Sequence, residues 1–304
     1  EDFATEKGVI LEEIAMYRDQ PFWVLFEAAM AAHYGEHPLG HRVLGTPETV
    51  GAMTREQMRG YFEGRYSADN TVLALAGRLD FPRVVERAGA LCAAWGRTGA
   101  TRDGARPPVP GGDLTLRDAK VTRGYFLALA PGPGVADDRR YAAALLSQVL
   151  GANDNSRLHW ALVEPGLAEE ASAGFDAHEG VGEYYVFASG DPERLPEIEG
   201  VVRREIATLA DSVSADDLER LRNRLLTAAT IGGERPLDRM HRLGRLWSHG
   251  LPHRPIEAEL ERINAVTLDE VRGVARDFPI TPVTVGRMLP AEGERGAEVG
   301  ADAA

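Results

Sequence analysis

Glu6 and Glu13 are the first residues of this chain that could do chemistry together. They lie seven residues apart in 5-TEKGVILEEIAMYRDQP-21, whose apolar spacing predicts an amphipathic helix. Residues i and i+7 share a helix face, two turns or about 10.5 Å apart. Zinc accepts carboxylate oxygen at about 2 Å, so the two side chains can hardly bind one ion together. One could bind a metal while the other orients a ligand or handles protons. The alternative is that both are solvated glutamates on an acidic helix.

Three histidines form a second candidate site. His33, His37 and His41 recur every four residues in 33-HYGEHPLGH-41, and a continuous helix would place them on one face. Pro38 and two glycines interrupt such a helix, because proline removes a backbone donor and clashes with the preceding turn. We therefore interpret the stretch as a turn and expect no metal site from these histidines.

Composition excludes several functional classes. The 304 residues carry a formal charge of −13, which argues against nucleic acid as a partner. No apolar run approaches the roughly 18 residues that a membrane span needs. The single cysteine, Cys92, excludes an internal disulfide and a cysteine-built zinc site, and its apolar neighbours predict a buried side chain. We expect a soluble, cytoplasmic protein.

The chain divides at 96-GRTGATRDGARPPVPGGD-113, a predicted linker that is rich in glycine and proline. One domain is predicted over residues 1–95 and a second over 114–290, and the small, polar tail 291–304 is predicted to be disordered. Strands are mixed with pairs of helices in the second half, rather than alternating strictly with single helices. This order indicates an α+β fold.

Residues 48–60 align without a gap on residues 261–273, which indicates an internal duplication. Each segment contains the capping box that begins a helix, and a predicted strand follows each helix. The capping boxes and strands are Thr54 with Gln57 and 71–76 in the first copy, and Thr267 with Glu270 and 283–285 in the second.

The duplication also predicts how much of the first copy the chain contains. From Asp113 to Gly286 the sequence number rises by 173, whereas from Glu1 to Gly77 it rises by only 76. If the halves are copies, the first lacks roughly 100 residues on its N-terminal side, which is within ordinary domain sizes. We therefore expect a chain that is truncated within its first domain and begins inside a helix.

Several motifs resemble the M16 zinc metallopeptidases, the family of pitrilysin, the insulin-degrading enzyme and the mitochondrial processing peptidase. The stretch E-x-x-V-I-x-E-E-I, which begins at Glu6, is followed by the turn 38-PLG-40. The similarity continues through residues 43–80 and into 156-SRLHWALVEPGLAEEASA-173. It covers nearly all of residues 1–290.

The resemblance implies two similar α+β domains, each a mostly antiparallel sheet packed against helices, with the first domain incomplete here. It implies a zinc-dependent endopeptidase that cleaves peptides or unfolded proteins in a chamber between the domains. Glu13 corresponds to the family's glutamate ligand for Zn²⁺, and Glu6 to an acidic residue that supports catalysis. The family's H-x-x-E-H motif, which supplies two histidine ligands and the general base, occurs nowhere in this sequence. The chain as given is therefore predicted to be inactive and not to retain zinc.

A second departure from the family concerns substrate contacts. Many members carry an arginine seven residues before a tyrosine in the second domain, and the corresponding positions here are Leu162 and Glu169. The alternative function is a non-catalytic partner or scaffold subunit that binds peptide substrate or a catalytic homologue. The resemblance also allows a homodimer, or a heterodimer with another member of the family.

Overall fold

The computed structural model describes residues 2–102 and 106–291. The predicted disordered tail lies outside the described residues from 292 onward. The elements in chain order are helices α1 (Asp2–Arg18), α2 (Pro21–Tyr34), α3 (Pro47–Ala52), α4 (Arg55–Arg65) and α5 (Phe81–Cys92), strands β1 (Gly112–Asp118) and β2 (Gly124–Gly132), helix α6 (Arg140–Gly151), strands β3 (Glu170–Ala177) and β4 (Gly182–Gly190), helices α7 (Leu195–Ser212), α8 (Ala215–Glu234), α9 (Pro236–Ser248), α10 (Ile256–Asn264) and α11 (Leu268–Asp277), and strand β5 (Thr284–Pro290).

The strands form one five-stranded sheet in the order β1-β5-β2-β4-β3. β1 pairs with β5 in parallel, and all other neighbours are antiparallel. A mostly antiparallel sheet covered by helices confirms the predicted α+β class. β1 was not predicted, because its first residues belong to the glycine- and proline-rich stretch that was assigned to the linker.

Different helices bury the two faces of this sheet. On one face α6 and α7 pack against the strands, with α8 and α11 behind them, and this larger core includes Phe126, Leu146 and Val186. On the opposite face lies α2, whose Leu25 and Ala29 are fully buried in a second core. The helix that follows α1 is therefore held on the sheet formed by the C-terminal part of the chain.

A glycine makes the close approach of α2 to the sheet possible. A Cβ atom on Gly286 of β5 would lie 2.9 Å from Leu25 Cδ1 and 3.7 Å from Ala29 Cβ. Contacts below about 3 Å are not tolerated between carbon atoms at van der Waals separations near 3.5–4.0 Å. The side chain of Leu25 thus fills the space that Gly286 leaves free.

The structure extends the duplication from a helix to a set of four helices. We call α1–α4 the first copy and α8–α11 the second copy. In each, a proline (Pro21, Pro236) begins the second helix, and 14 positions later a glycine (Gly35, Gly250) has positive φ, 57° and 62°. The predicted capping boxes are confirmed at the start of α4 and α11, with reciprocal side-chain and backbone hydrogen bonds in both.

One predicted strand does not form. Residues 71–76 make no ladder with any strand of the described residues. Val72, Leu73 and Leu75 are exposed by 50%, 64% and 44%. Apolar β-branched sequence favours a strand only where a neighbouring strand can accept its backbone hydrogen bonds, and none lies beside this segment.

Cys92 is exposed, so the prediction that it is buried was wrong. It ends α5, whose large apolar residues Phe81, Val85 and Leu91 are exposed as well. The prediction assumed that a residue whose sequence neighbours are apolar lies in a hydrophobic core. No element within the described ranges packs closely on α5, so its apolar face stays open to solvent.

None of the helices in the described part of the chain has the length and apolar character that crossing a bilayer requires.

Candidate functional site

The structure places both predicted site residues on α1, two turns apart. Glu6 is exposed and Glu13 is half-buried. Glu13 borders a cavity of about 330 Å³ between α1, α2 and the loop that follows residue 38. Trp23, Phe26 and Met30 of α2 line the same cavity. The metal-ligand candidate therefore faces a largely apolar cleft rather than open surface.

Other potential ligands near Glu13 do not complete a metal site. Glu27 and His41 line the same cavity, but Glu27 already forms an ion pair with Arg42, with 3.1 Å between Oε2 and Nε. Within residues 2–102 and 106–291, no group of three or more His, Cys, Asp or Glu side chains is arranged to hold a metal ion. A catalytic zinc site uses three protein ligands. The described residues therefore do not by themselves fit zinc.

The second copy shows what usually covers this helix face. Counting back from Pro21 and from Pro236, Glu6 corresponds to Leu221, and Glu13 corresponds to Ala228. Leu221 is 2% exposed and belongs to the core in which α8 packs on α6. In α8 the position equivalent to Glu6 thus lies against another helix, whereas the position equivalent to Glu13, Ala228, is exposed.

The helix does not continue through the three histidines, which confirms the predicted break. α2 ends at Tyr34, and Pro38–Gly40 form a separate turn. The His37 ring accepts a hydrogen bond from the Leu39 amide at 3.2 Å. His33 is fully buried, and its Nδ1 lies 2.8 Å from Thr284 Oγ1 of β5. Burial lowers the pKa of His33, which favours a neutral ring.

Sequence reasoning missed a buried polar network between α2 and β4. The Tyr34 hydroxyl donates to Glu183 Oε2 at 2.5 Å, and His178 Nε2 lies 2.8 Å from Glu183 Oε1. Burial, with the Glu183 carboxylate beside it, raises the pKa of Tyr34. The hydrogen bond to Glu183 raises the pKa of His178. One sequence feature could have revealed this network. Glu183 is the only charged residue in the apolar strand 182-GEYYVFASG-190, where a buried charge is costly unless it is paired.

The positions at which the family carries arginine and tyrosine have other roles here. Leu162 is fully buried in a short π-helical turn (His159–Val163). Glu169 makes an ion pair with Arg123 at 2.6 Å. Neither side chain offers the cation or the phenol that the family places there.

The comparisons agree on the family. The sequence profile described as Peptidase M16 inactive domain matches residues 52–225, which is more than half of the chain. The chain is a member of the M16 peptidase family. It is 33% identical over 284 residues to an uncharacterized zinc protease of Mycobacterium tuberculosis, covering 91% of this chain and 64% of that protein. A relative of the same name in Streptomyces coelicolor is 30% identical over 292 residues, with 91% and 62% covered. The chain thus spans less than two thirds of the length of these relatives.

Solved structures share the fold at low sequence identity. A peptidase M16 inactive domain from Pseudomonas fluorescens superposes with a TM-score of 0.85 at 18% identity, covering 97% of this chain and 72% of that one. A protease from Helicobacter pylori gives a TM-score of 0.85 at 15% identity, with 95% and 72% covered. The fold of this chain is therefore shared with these two structures.

Proposed function

We propose that this chain is part of a zinc-dependent endopeptidase of the M16 type, acting on peptides or unfolded proteins in the cytoplasm. Family membership and the name zinc protease carried by the relatives support this activity class. The observation that carries the proposal within the chain is the α1 face. It presents Glu6 and Glu13 where the equivalent face of the second copy presents Leu221 and Ala228.

In this proposal Glu13 binds Zn²⁺ through a carboxylate oxygen. Glu6, one heptad earlier on α1, is the acidic residue that supports catalysis. The packing of α6 on α8 in the second copy is the template for a helix that would cover α1. A helix that packed on α1 as α6 packs on α8 would cover Glu6, whose counterpart Leu221 is buried, and would leave Glu13 at the margin. Further ligands on such a helix would complete the site, since the described residues do not.

We propose the domain limits as 1–95, a linker over 96–113 and a second domain over 114–290, with the first domain incomplete. A contact between the copies supports two related domains. A Cβ on Gly244 of α9 would lie 3.5 Å from Ala74 Cβ, while Ala29 of α2 lies against Gly286. Ala29 and Gly244 occupy the same position after Pro21 and Pro236. Segment 71–76 therefore lies near α9 at the position equivalent to that of β5 near α2, which supports the proposal that 71–76 belongs to the first domain.

The test compares two neighbouring glutamates of α1. Zinc content and hydrolysis of an internally quenched unfolded peptide are measured for the protein expressed from its complete reading frame. We expect about one zinc per chain, loss of zinc and activity in Glu13→Gln, and retention of both in Glu12→Gln. Glu12 is exposed one position away on another face of α1, which makes it the matched control.

The 304-residue chain is the second arm of the experiment. It should contain far less than one zinc per molecule, because catalytic zinc needs three protein ligands. Stoichiometric zinc that depends on Glu13 in this chain would contradict the proposal. So would a complete protein that hydrolyses peptide equally well with and without Glu13.

A non-catalytic partner subunit is the other outcome of the same experiment. It would bind unfolded peptide, or a second M16 chain as a dimer partner, without hydrolysis and without zinc. A scaffold has no need of carboxylates at both Glu6 and Glu13, so the α1 face favours the enzyme.

A further inference from the structure

We propose that Glu183 is a positioning residue: its carboxylate holds Tyr34 of α2 and His178 of the β3–β4 turn together, and so clasps α2 to the sheet in a pH-dependent way. This clasp (Tyr34, His178 and Glu183) concerns how the α1–α2 hairpin is held. It stands whether or not the protein is a peptidase.

Apolar packing alone does not fix how α2 lies on the sheet. The contact uses Leu25 and Ala29 against aliphatic and aromatic strand residues, and hydrophobic attraction is non-directional. The fit of Leu25 over Gly286 limits shifts of the helix at that one point. Directional hydrogen bonds between the two elements add a second constraint, at the C-terminal end of the helix.

Two such bonds lie at the C-terminal end of α2. Tyr34 donates to Glu183 at 2.5 Å, and His33 pairs with Thr284 of β5 at 2.8 Å. All four side chains are at most 2% exposed. These bonds join residues 149 and 251 positions apart in sequence, so they link the first copy directly to β4 and β5, the two strands that flank the central strand β2.

Glu183 is the centre of the clasp because both of its oxygens are used. Oε2 accepts from Tyr34, and Oε1 lies 2.8 Å from Nε2 of His178. Hydrogen bonds to a charged partner are about twice as strong as neutral ones. A buried carboxylate without such partners would be strongly destabilising. Each donor therefore stabilises the position of the other through the shared carboxylate.

The charges around His178 favour its protonated form. Glu183 and Asp176 face it from paired positions on β4 and β3. Arg245 and His249, both from the α9 region, lie close enough to oppose its protonation. Like charges directly opposite on paired strands repel, so a cationic His178 bonded to Glu183 offsets that repulsion.

The pH dependence follows from the directions of two pKa shifts. The pKa of His178 is raised above 6.5 by its bond to Glu183, so its contribution is present at low pH and is lost as pH rises through the folded pKa. The pKa of His33 is lowered from 6.5 by burial, so its contribution is lost as pH falls below 6.5. Of these two histidines, His178 is therefore the one whose protonation changes as the pH rises above 6.5. The clasp should therefore loosen on the alkaline side.

Hydrogen exchange of α2 amides, measured by mass spectrometry on the 304-residue chain, tests this proposal. Protection factors for peptides within Pro21–Tyr34 are compared with those of α6 (Arg140–Gly151) between about pH 7 and pH 9. Correction for intrinsic exchange removes the trivial effect of pH. In the wild type, protection of α2 should fall with rising pH relative to α6.

The variants separate the two arms of the clasp. Tyr34→Phe should lower α2 protection by roughly tenfold at every pH, since it removes a bond to a charged acceptor. Tyr184→Phe is the matched control, because the buried Tyr184 hydroxyl has no hydrogen-bond partner among residues 2–102 and 106–291, so its loss should leave α2 unchanged. His178→Gln should abolish the pH dependence while the Tyr34 bond remains. Glu183→Gln should both lower protection and flatten the pH profile.

Two results would overturn the proposal. One is equal α2 protection in Tyr34→Phe and Tyr184→Phe, which would make Glu183 an ordinary buried polar group with no hold on the helix. The other is an unchanged alkaline loss of protection in His178→Gln, which would assign the titration to another residue. A variant that fails to fold shows loss of protection in α6 as well as in α2, and then the pH profile of His178→Gln decides.

Discussion

Leu25→Ala is the sharpest test of whether α2 is truly part of the core on the second face of the sheet. Leu25 is fully buried, although it lies in the N-terminal part of the chain and the sheet is formed from residue 112 onward. Its Cδ1 occupies the space above Gly286. Truncation to alanine removes three carbon atoms at this point and leaves a cavity.

The size of the effect follows from the rigidity of that site. Leu→Ala substitutions in cores cost about 2–5 kcal/mol, and the cost rises with the cavity that remains. The floor of this cavity is the backbone of β5 at Gly286, which is fixed by ladders to β1 and β2 and cannot move into the space. We therefore expect about 3 kcal/mol, in the middle of that range. At ~2–4 °C per kcal/mol, the melting temperature should fall by roughly 10 °C.

Urea unfolding and differential scanning calorimetry measure this change, with Leu73→Ala as the control. Leu73 is 64% exposed, so the same truncation there should change the free energy of unfolding by no more than about 0.5 kcal/mol. A Leu25→Ala variant that melts within about 2 °C of the wild type would refute the reasoning. It would mean that α2 does not contribute to the stability of the sheet.

Two glycines in helices should respond in opposite directions to alanine. Gly151→Ala should destabilise by about 1–3 kcal/mol in urea unfolding, because its Cβ would lie 2.2 Å from the Ala173 amide nitrogen where α6 crosses β3. Gly8→Ala should stabilise by roughly 0.5–1 kcal/mol, because α1 has open space at that position and glycine is a poor helix former. Equal changes in the free energy of unfolding for the two substitutions would contradict both expectations.

Local features of the fold could be predicted from the sequence. The helical state of α1 was predicted correctly, although its apolar residues do not gather on one face as in an amphipathic helix. The start of α11 follows from Thr267 and Glu270, which satisfy each other's backbone donors within four residues. Such features do not depend on residues that are far away. For the same reason the shared face of Glu6 and Glu13 could be deduced without a structure.

Features that need a distant partner could not be predicted in this way. Segment 71–76 has the composition of a strand, yet it forms none, since strand formation depends on a neighbour. β1 was missed because it begins in the glycine- and proline-rich stretch, and the pairing with β5 that makes it a strand joins residues 172 positions apart, Gly112 and Thr284. Tyr34 and Glu183 likewise gave no joint signal, because only the docking of α2 brings them together.

The two copies show how one helix hairpin can serve either packing or chemistry. In α8 the stripe that includes Leu221 is buried under α6, so it stabilises the fold as an ordinary apolar face. If α1 is covered in the same way, Glu6 becomes a carboxylate on a buried stripe, which is strongly unfavourable without a charged or hydrogen-bonding partner. Glu13 corresponds to the exposed Ala228 at the margin of that stripe, where a bound ion would remain accessible to a ligand. If both glutamates were solvated surface residues, Glu13→Gln and Glu12→Gln would have the same effect on zinc content. Loss of zinc in Glu13→Gln alone identifies a metal-binding face.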